Sequence, residues 1–167
     1  MDPVRWLDER EAKAWRGLQF MQIRFEAELS RQLATESSLS LPDFVVLVAL
    51  TDQPDGRLRA FELARELGWD KTRLSHHLKR MITRGLVEKQ TCATDRRGYF
   101  VAITAHGRHE IETVAPGHVA TVRRLFVDRT TADELDTIIT VTNRVLAHLD
   151  GEHGVRPGRG TGELPLA

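Results

Sequence analysis

Cysteine, long apolar runs and net charge are scarce or absent in this chain of 167 residues. Its only cysteine, Cys92, excludes an internal disulfide framework and is too little for a cysteine-based zinc site. No apolar run approaches the roughly 18 residues of a membrane span, and the acidic, polar N-terminus has no signal-peptide pattern. We therefore expect one globular unit, located in the cytoplasm and not bound to a membrane.

The formal net charge of zero argues against a protein that coats nucleic acid indiscriminately. The charge is unevenly distributed, however, because residues 71–97 contain eight basic and two acidic side chains and carry a net charge of +6. The rest of the chain balances this with a charge of −6. A concentrated basic segment is typical of a local binding surface for a polyanion, and a solvated charged surface is the alternative.

The first half of the chain is predicted to be helical. Apolar residues spaced three or four apart predict a long amphipathic helix over residues 8–36. Ser40, with Asp43 three residues later, predicts a capped start for a second, apolar helix that ends at the turn beginning with Pro54.

A helix-turn-helix followed by a β-hairpin is predicted next. A short extended piece at residues 57–59 precedes a helix that Gly68 closes, and Asp70 is a good cap for the next helix, which ends at Gly85. The gap between these helices is only about three residues, as in a helix-turn-helix. Strand-like residues at 86–91 and 99–104 flank a turn and predict the hairpin.

Two further helices are predicted at the C-terminal end, one over about residues 105–127 and one from the capping box of Thr131 and Glu134 to about residue 149. Residues 151–167 are rich in glycine and proline and are predicted to be disordered. The predicted fold is mainly α with a small β-wing, in the order of a winged helix-turn-helix domain with helices at both ends.

The helix after Asp70 has one apolar side and one polar side. At 100° per residue, Leu74, Leu78, Met81 and Ile82 fall together and should pack inward. The opposite side is cationic or hydrogen-bonding and has no carboxylate, as a helix in the major groove of DNA requires. We expect its N-terminal residues to read base edges and its later basic residues to meet phosphates; the first group is Thr72, Arg73, Ser75 and His76, and the second is Lys79 and Arg80.

The turn of the predicted hairpin adds two arginines. Arg96 and Arg97 would enter the narrow minor groove, whose negative potential favours arginine. An arginine pair that is merely solvated is the alternative. The order of a helix-turn-helix followed by a basic hairpin favours the DNA-binding interpretation.

These segments resemble the MarR (multiple antibiotic resistance regulator) family of winged-helix regulators over residues 8–150. Residues 62–68 look like the first helix of the family's motif, and residues 71–87 look like its recognition helix and exit. Residues 95–104 fit the family's wing pattern of Asp-x-Arg followed by Val-x-(Leu/Ile)-Thr. The resemblance implies that Arg97 is the wing arginine and that Asp95 orients it without touching DNA.

Members of that family are two-fold dimers with interleaved terminal helices, so the resemblance implies a homodimer. Residues 1–37 and 105–150 would then dimerise, and residues 38–104 would bind double-stranded DNA. The sequence itself points to a partner, because the terminal helices carry more apolar surface than one small domain can hide; packing within one chain is the alternative. The residues concerned are Leu125, Phe126, Leu135, Ile138, Ile139, Val141, Val145 and Leu146.

The resemblance also implies a small aromatic or anionic effector. Trp15, Arg16 and His118 would supply a stacking ring and a cation for such a pocket, although residues of these types are more often structural. Cys92 invites a redox-sensor interpretation, but it lies outside the first helix, where the family's sensors have their thiol. No metal or cofactor is expected, because His106 and His109 lack a clear third ligand. An enzyme is not expected either, because no arrangement of catalytic residues stands out.

Three functions remain open at this point. The first is a repressor that binds a palindromic operator and is released by a small molecule. The second is a ligand-independent activator or an architectural DNA-binding protein. The third is a winged helix used only for protein contacts, which the basic segment disfavours.

Overall fold

The computed structural model describes residues 3–91 and 98–152. A 3-10 turn at Val127–Arg129 connects the last two helices. The helices are α1 (Glu9–Glu36), α2 (Leu41–Thr51), α3 (Ala60–Glu66), α4 (Lys71–Thr83), α5 (Ala105–Leu125) and α6 (Ala132–Glu152). The strands are β1 (Arg57–Arg59), β2 (Val87–Thr91) and β3 (Tyr99–Ile103).

The predicted fold class is confirmed, since helices dominate the described residues and a small antiparallel sheet combines one strand before the helix-turn-helix with two strands after it. The sheet has the strand order β1-β3-β2. Its register pairs Val87 with Ile103 and Lys89 with Val101. Because opposed residues of an antiparallel pair point to the same side, Lys89, Tyr99 and Val101 share one face of the sheet.

Side-chain caps begin the helices where the sequence predicts them. The N–H of Asp43 donates to the Ser40 hydroxyl at the start of α2, and the N–H of Glu134 donates to the Thr131 hydroxyl before α6, both at 3.3 Å. The Asp70 carboxylate accepts from the N–H of Arg73 at 2.9 Å. These bonds satisfy backbone donors that a first helical turn leaves free.

Glycines end the two helices of the helix-turn-helix. Gly68 and Gly85 have φ angles of +61° and +71°, in the left-handed region that a side chain disfavours. Each reverses the chain within a few residues, so that α4 follows α3 directly and β2 follows α4.

The core lies where α2, α3, α4 and the sheet meet, and the C-terminal end of α1 and one side of α5 cover it. Its fully buried side chains are almost all apolar, and burial of such side chains is the main stabilising term in folding. They include Leu33, Leu47, Leu50, Leu63, Leu78, Met81, Leu86, Val101 and Val114.

Helices α1 and α6 leave much of their apolar surface uncovered. On α1, Trp15 and Phe20 are 55% and 63% exposed, and on α6, Ile139 and Val145 are 55% and 51% exposed. Leu33 is the one buried residue of α1 in the described chain. Packing within one chain, the alternative left open by the sequence, therefore accounts for only part of this surface: Leu125, Phe126 and Leu135 are half-buried, and the Phe126 ring packs edge-to-face on Phe25 with 6.1 Å between the ring centres.

Helix α6 is longer than predicted. It includes Gly151 and Glu152, the first residues of the segment expected to be disordered, and the remainder of that segment lies outside the described residues. Glycine disfavours a helix by only about 1 kcal/mol, so a single glycine in the last turn need not end it. Within residues 3–91 and 98–152, no single helix has the length and apolarity to cross a membrane; α1 and α2 meet that test only as a pair bent by 87°.

Candidate nucleic-acid interface

The inner side of α4 holds this helix against the core. Leu74, Leu78 and Met81 are buried, as predicted, whereas Ile82 is half-buried. His77 occupies the fourth buried position of the helix. Its neighbour His76 is exposed, so the two adjacent histidines point to different faces, as the helical period requires.

The outer side of α4 has the chemistry predicted from the sequence. All six residues proposed to contact DNA are exposed, and the thirteen residues of α4 contain no Asp or Glu. The six residues are Thr72, Arg73, Ser75, His76, Lys79 and Arg80. Both cationic and hydrogen-bonding groups are thus accessible to a polyanion on a single helical surface.

Lys89 extends this basic surface from α4 to the wing. A shallow groove is lined by Ser75, His76 and Lys79 from α4 and by Lys89 from β2. The ammonium of Lys89 lies 4.5 Å from the centre of the Tyr99 ring, a cation–π distance. Lys89 was not among the site residues predicted from the sequence. Its place on the same face of the sheet as Tyr99 and Val101 follows from the alternation of side chains along a strand.

Arg73 is held by an aromatic side chain. Its guanidinium lies 4.4 Å from the centre of the Trp69 ring. Trp69 precedes α4 and packs edge-to-face against the His77 ring, with 5.2 Å between the ring centres. The attraction between the guanidinium and the ring face favours this position of Arg73.

Arg80 is held by a hydrogen bond. Its Nη2 donates to Nδ1 of His77 at 2.8 Å. The other ring nitrogen, Nε2, is buried and lies 3.0 Å from Oδ1 of Asp43, a close approach whose angle falls short of a well-aligned hydrogen bond. One of the predicted phosphate contacts is therefore connected to a buried carboxylate on another helix.

Asp43 is fixed from several sides. Arg84 donates to its Oδ2 at 2.7 Å, and the Ser40 hydroxyl and backbone N–H donate to the same oxygen at 2.8 and 2.9 Å. Burial alone would raise the pKa of Asp43, but the close contact with His77 and the hydrogen bonds from Arg84 and Ser40 outweigh it and hold that pKa far below its ordinary value. The carboxylate therefore stays ionised and anchors α4 to α2.

The outer face of the sheet carries further basic residues. The guanidinium groups of Arg57 and Arg59 lie 5.0 and 5.2 Å from the centre of the Phe100 ring. Arg57 also donates to Asp55 and to Gln90. The wing residues predicted to enter the minor groove, Arg96 and Arg97, lie outside the described residues, as do Asp95 and Cys92.

The predicted effector pocket of Trp15, Arg16 and His118 is not formed within one chain. A side chain at Gly117, next to His118, would collide with Glu36 at the far end of α1. Trp15 and Glu36 are separated by about 30 Å along the helix. Within the chain, Trp15 therefore lies far from His118, and Arg16 donates to the carbonyl of Ala12 at 3.2 Å.

His118 is instead a buried residue of α5 whose ring centre lies 4.2 Å from that of Phe44. Burial lowers the pKa of His118, because removing the charged form from water is costly. Among the residues that the structure describes, no group of three or more His, Cys, Asp or Glu side chains is arranged to hold a metal ion.

Known proteins are similar to this chain in sequence and architecture. Residues 37–98 match the sequence pattern of the MarR family. The structure is similar to AbsC, a MarR family transcriptional regulator from Streptomyces coelicolor, with a TM-score of 0.83 and 34% identity over 89% of this chain and 99% of AbsC. A second MarR family regulator from the same organism, crystallised in complex with DNA, gives a TM-score of 0.82 and 31% identity over 97% of this chain and 98% of its own.

A curated relative agrees with these structures. The transcriptional regulator HosA of Escherichia coli is 28% identical over 135 residues, which is 80% of this chain and 98% of HosA. The likeness extends from the helix-turn-helix to most of the chain, including the terminal helices.

Proposed function

Since the chain belongs to the MarR family of DNA-binding transcriptional regulators, we propose that it binds a palindromic operator as a homodimer and represses transcription there. It is a regulator and not an enzyme. In this proposal residues 38–104 bind DNA, residues 1–37 and 105–150 form the dimer, and the protein acts in the cytoplasm, where the chromosome of its bacterial relatives lies.

The observation that carries the proposal is the exposed outer side of α4, which has no carboxylate and is continuous with Lys89 on the wing. Thr72, Arg73, Ser75 and His76 would contact base edges in the major groove. Lys79 and Arg80 would contact phosphates, which set affinity and register. The likeness to a regulator crystallised with DNA supports DNA binding, although not the assignment of individual residues.

The dimer is supported by the uncovered apolar residues of α1 and α6. A two-fold dimer would place two recognition helices in successive major grooves, with half-site centres about 10 base pairs apart. A bound dimer of this kind would repress by blocking polymerase. The wing would add Arg96 and Arg97 in the minor groove, with Asp95 orienting Arg97, a part of the proposal that rests on the resemblance to the family.

A small aromatic or anionic effector that releases the operator belongs to the proposal as well. Its support is two of the three buried side-chain atoms that have no hydrogen-bond partner in the described residues, Oε1 of Gln32 on α1 and Nδ1 of His118 on α5; the third is Nε2 of His77. Buried polar atoms normally have partners, and a bound molecule can supply one. A ligand-independent activator or architectural DNA-binding protein is the alternative, and it would show no release by any small molecule.

The DNA-binding role of α4 is tested by Lys79→Ala. For a duplex of about 30 base pairs, the slope of log affinity against log salt should fall in magnitude by about 0.9 for each phosphate that the variant no longer neutralises. The control is Lys13→Ala on α1, which should leave the slope as it is. An unaltered slope for Lys79→Ala would show that this residue does not bind a phosphate.

The wing is tested by Arg97→Ala. Operator affinity, measured on fragments selected from genomic DNA, should fall by roughly tenfold because the minor groove no longer receives this arginine, while the melting temperature stays within about 1 °C. Unchanged affinity would count against minor-groove insertion.

A further inference from the structure

His77 is a polar residue in a position where its helix otherwise buries apolar side chains. It is 6% exposed, among Leu74, Leu78 and Met81 on the inner side of α4. Burying an imidazole is costly unless its nitrogens have partners. Both nitrogens have close neighbours here, Arg80 on one side and Asp43 on the other.

The bond to Arg80 indicates which ring nitrogen carries the proton. A guanidinium has only donors, so Nδ1 of His77 must be the acceptor in the 2.8 Å contact. The proton of the ring is then on Nε2, which faces Oδ1 of Asp43 at 3.0 Å. A protonated ring or the other tautomer would direct an N–H at the guanidinium and break the bond to Arg80.

The ring has little freedom to move. Asp43 of α2 contacts Nε2, and Asp43 is itself held by an ion pair with Arg84, the residue that follows α4. Trp69 packs edge-to-face against the ring from the turn before α4. The acceptor nitrogen is therefore fixed relative to two helices, and Arg80 is fixed by it.

We propose that His77 is a positioning residue that holds the Arg80 guanidinium ready for a DNA phosphate. The inference rests on the proposed function, in which Arg80 is a phosphate contact. Arg80 remains exposed, and a guanidinium has five N–H donors, so the bond to His77 leaves donors free for a phosphate. Pre-ordering the long side chain removes part of the entropy loss on binding.

Two substitutions distinguish the contact of Nδ1 with Arg80 from the contact of Nε2 with Asp43. The amide of His77→Asn can present an oxygen near the Nδ1 position and keep the bond to Arg80. The amide of His77→Gln reaches the Nε2 position and can keep the contact with Asp43, but it offers Arg80 no acceptor in place. Both variants lack the ring, so their stabilities should fall by similar amounts and only the acceptor for Arg80 differs. His109→Gln, on the exposed surface of α5, is the matched control.

Binding is measured with a mixed-sequence duplex of about 30 base pairs over a range of salt concentrations. We expect His77→Gln to weaken binding about three- to tenfold per subunit and His77→Asn to retain more of the affinity, with melting temperatures of the two within a few degrees. In an Arg80→Ala background, His77→Gln should have no further effect on affinity, because the effects of substituting interacting residues are not additive.

Comparison of the two single variants, Arg80→Ala and His77→Gln, with the double variant distinguishes failure of the proposed function from failure of the positioning role. If Arg80→Ala changes neither affinity nor salt slope, the phosphate role of Arg80 in the proposed function is wrong, and this inference with it. If Arg80→Ala weakens binding but His77→Gln does not, or does so equally with and without Arg80, only the positioning role is wrong. A nitrogen-15 spectrum of the free protein adds a direct test, since a proton on Nδ1 of His77 would overturn the proposal whatever the binding data.

Discussion

The winged-helix core and the terminal helices treat their apolar side chains in opposite ways. In α2 of the core, Leu47 and Leu50 are fully buried, whereas Ile139 and Val145 of α6 are each about half exposed, at 55% and 51%. Both regions are regular helices that carry many apolar residues. The difference teaches that the core is complete within one chain, while the terminal helices have apolar surfaces that one chain does not cover.

The contrast should appear most strongly in Leu47→Ala. Removing a fully buried leucine side chain should lower the free energy of unfolding by about 2–5 kcal/mol, because a cavity replaces packed atoms. Chemical denaturation measures this decrease, which should be the same at low and high protein concentration. Val45→Ala, at an exposed position of the same helix, should cost less than about 1 kcal/mol. If the loss of stability in Leu47→Ala grew on dilution, the claim that the core is complete within one chain would be wrong.

The terminal helices are tested by Ile139→Glu. If α6 packs against a second copy, a carboxylate on its apolar side should weaken the dimer by at least about 2 kcal/mol, or roughly 30-fold in its dissociation constant. Sedimentation at several protein concentrations measures the change, and DNA affinity should fall with it. Thr140→Glu lies on the side of α6 opposite its apolar residues and should leave the dimer intact. Equal behaviour of the two variants would contradict the assignment of this surface.

The smallest expected effect concerns His118, which lies where the core meets α5. Burial lowers its pKa, so the unfolded chain binds a proton that the folded chain does not, and stability should fall as the pH drops below the ordinary value of 6.5. His118→Leu should flatten this dependence while preserving the contact with Phe44. Melting curves at pH 7.5 and 5.5 give the comparison, and an unchanged pH dependence would show that His118 is not its source.

The difference between the regions also explains which parts of the site the sequence predicts. The outer side of α4 follows from the helical period and from the cap at Asp70, because both involve residues within a few positions of one another. Exposure of Thr72, Arg73, Ser75 and the rest of this surface was therefore predictable. The partner of Arg80 was not, since it depends on a histidine that the apolar pattern alone did not assign to the buried side.

The sequence by itself determined the helices and strands, their caps and turns, and the order of a winged helix-turn-helix, because these depend on neighbouring residues and on the period of each element. Only the tertiary structure decided that His77 stands between Arg80 and Asp43, that Trp15 and His118 lie far apart in one chain, and which apolar surfaces stay uncovered. Those facts depend on contacts between residues tens of positions apart, such as Asp43 and His77, and no local pattern records how distant segments approach one another.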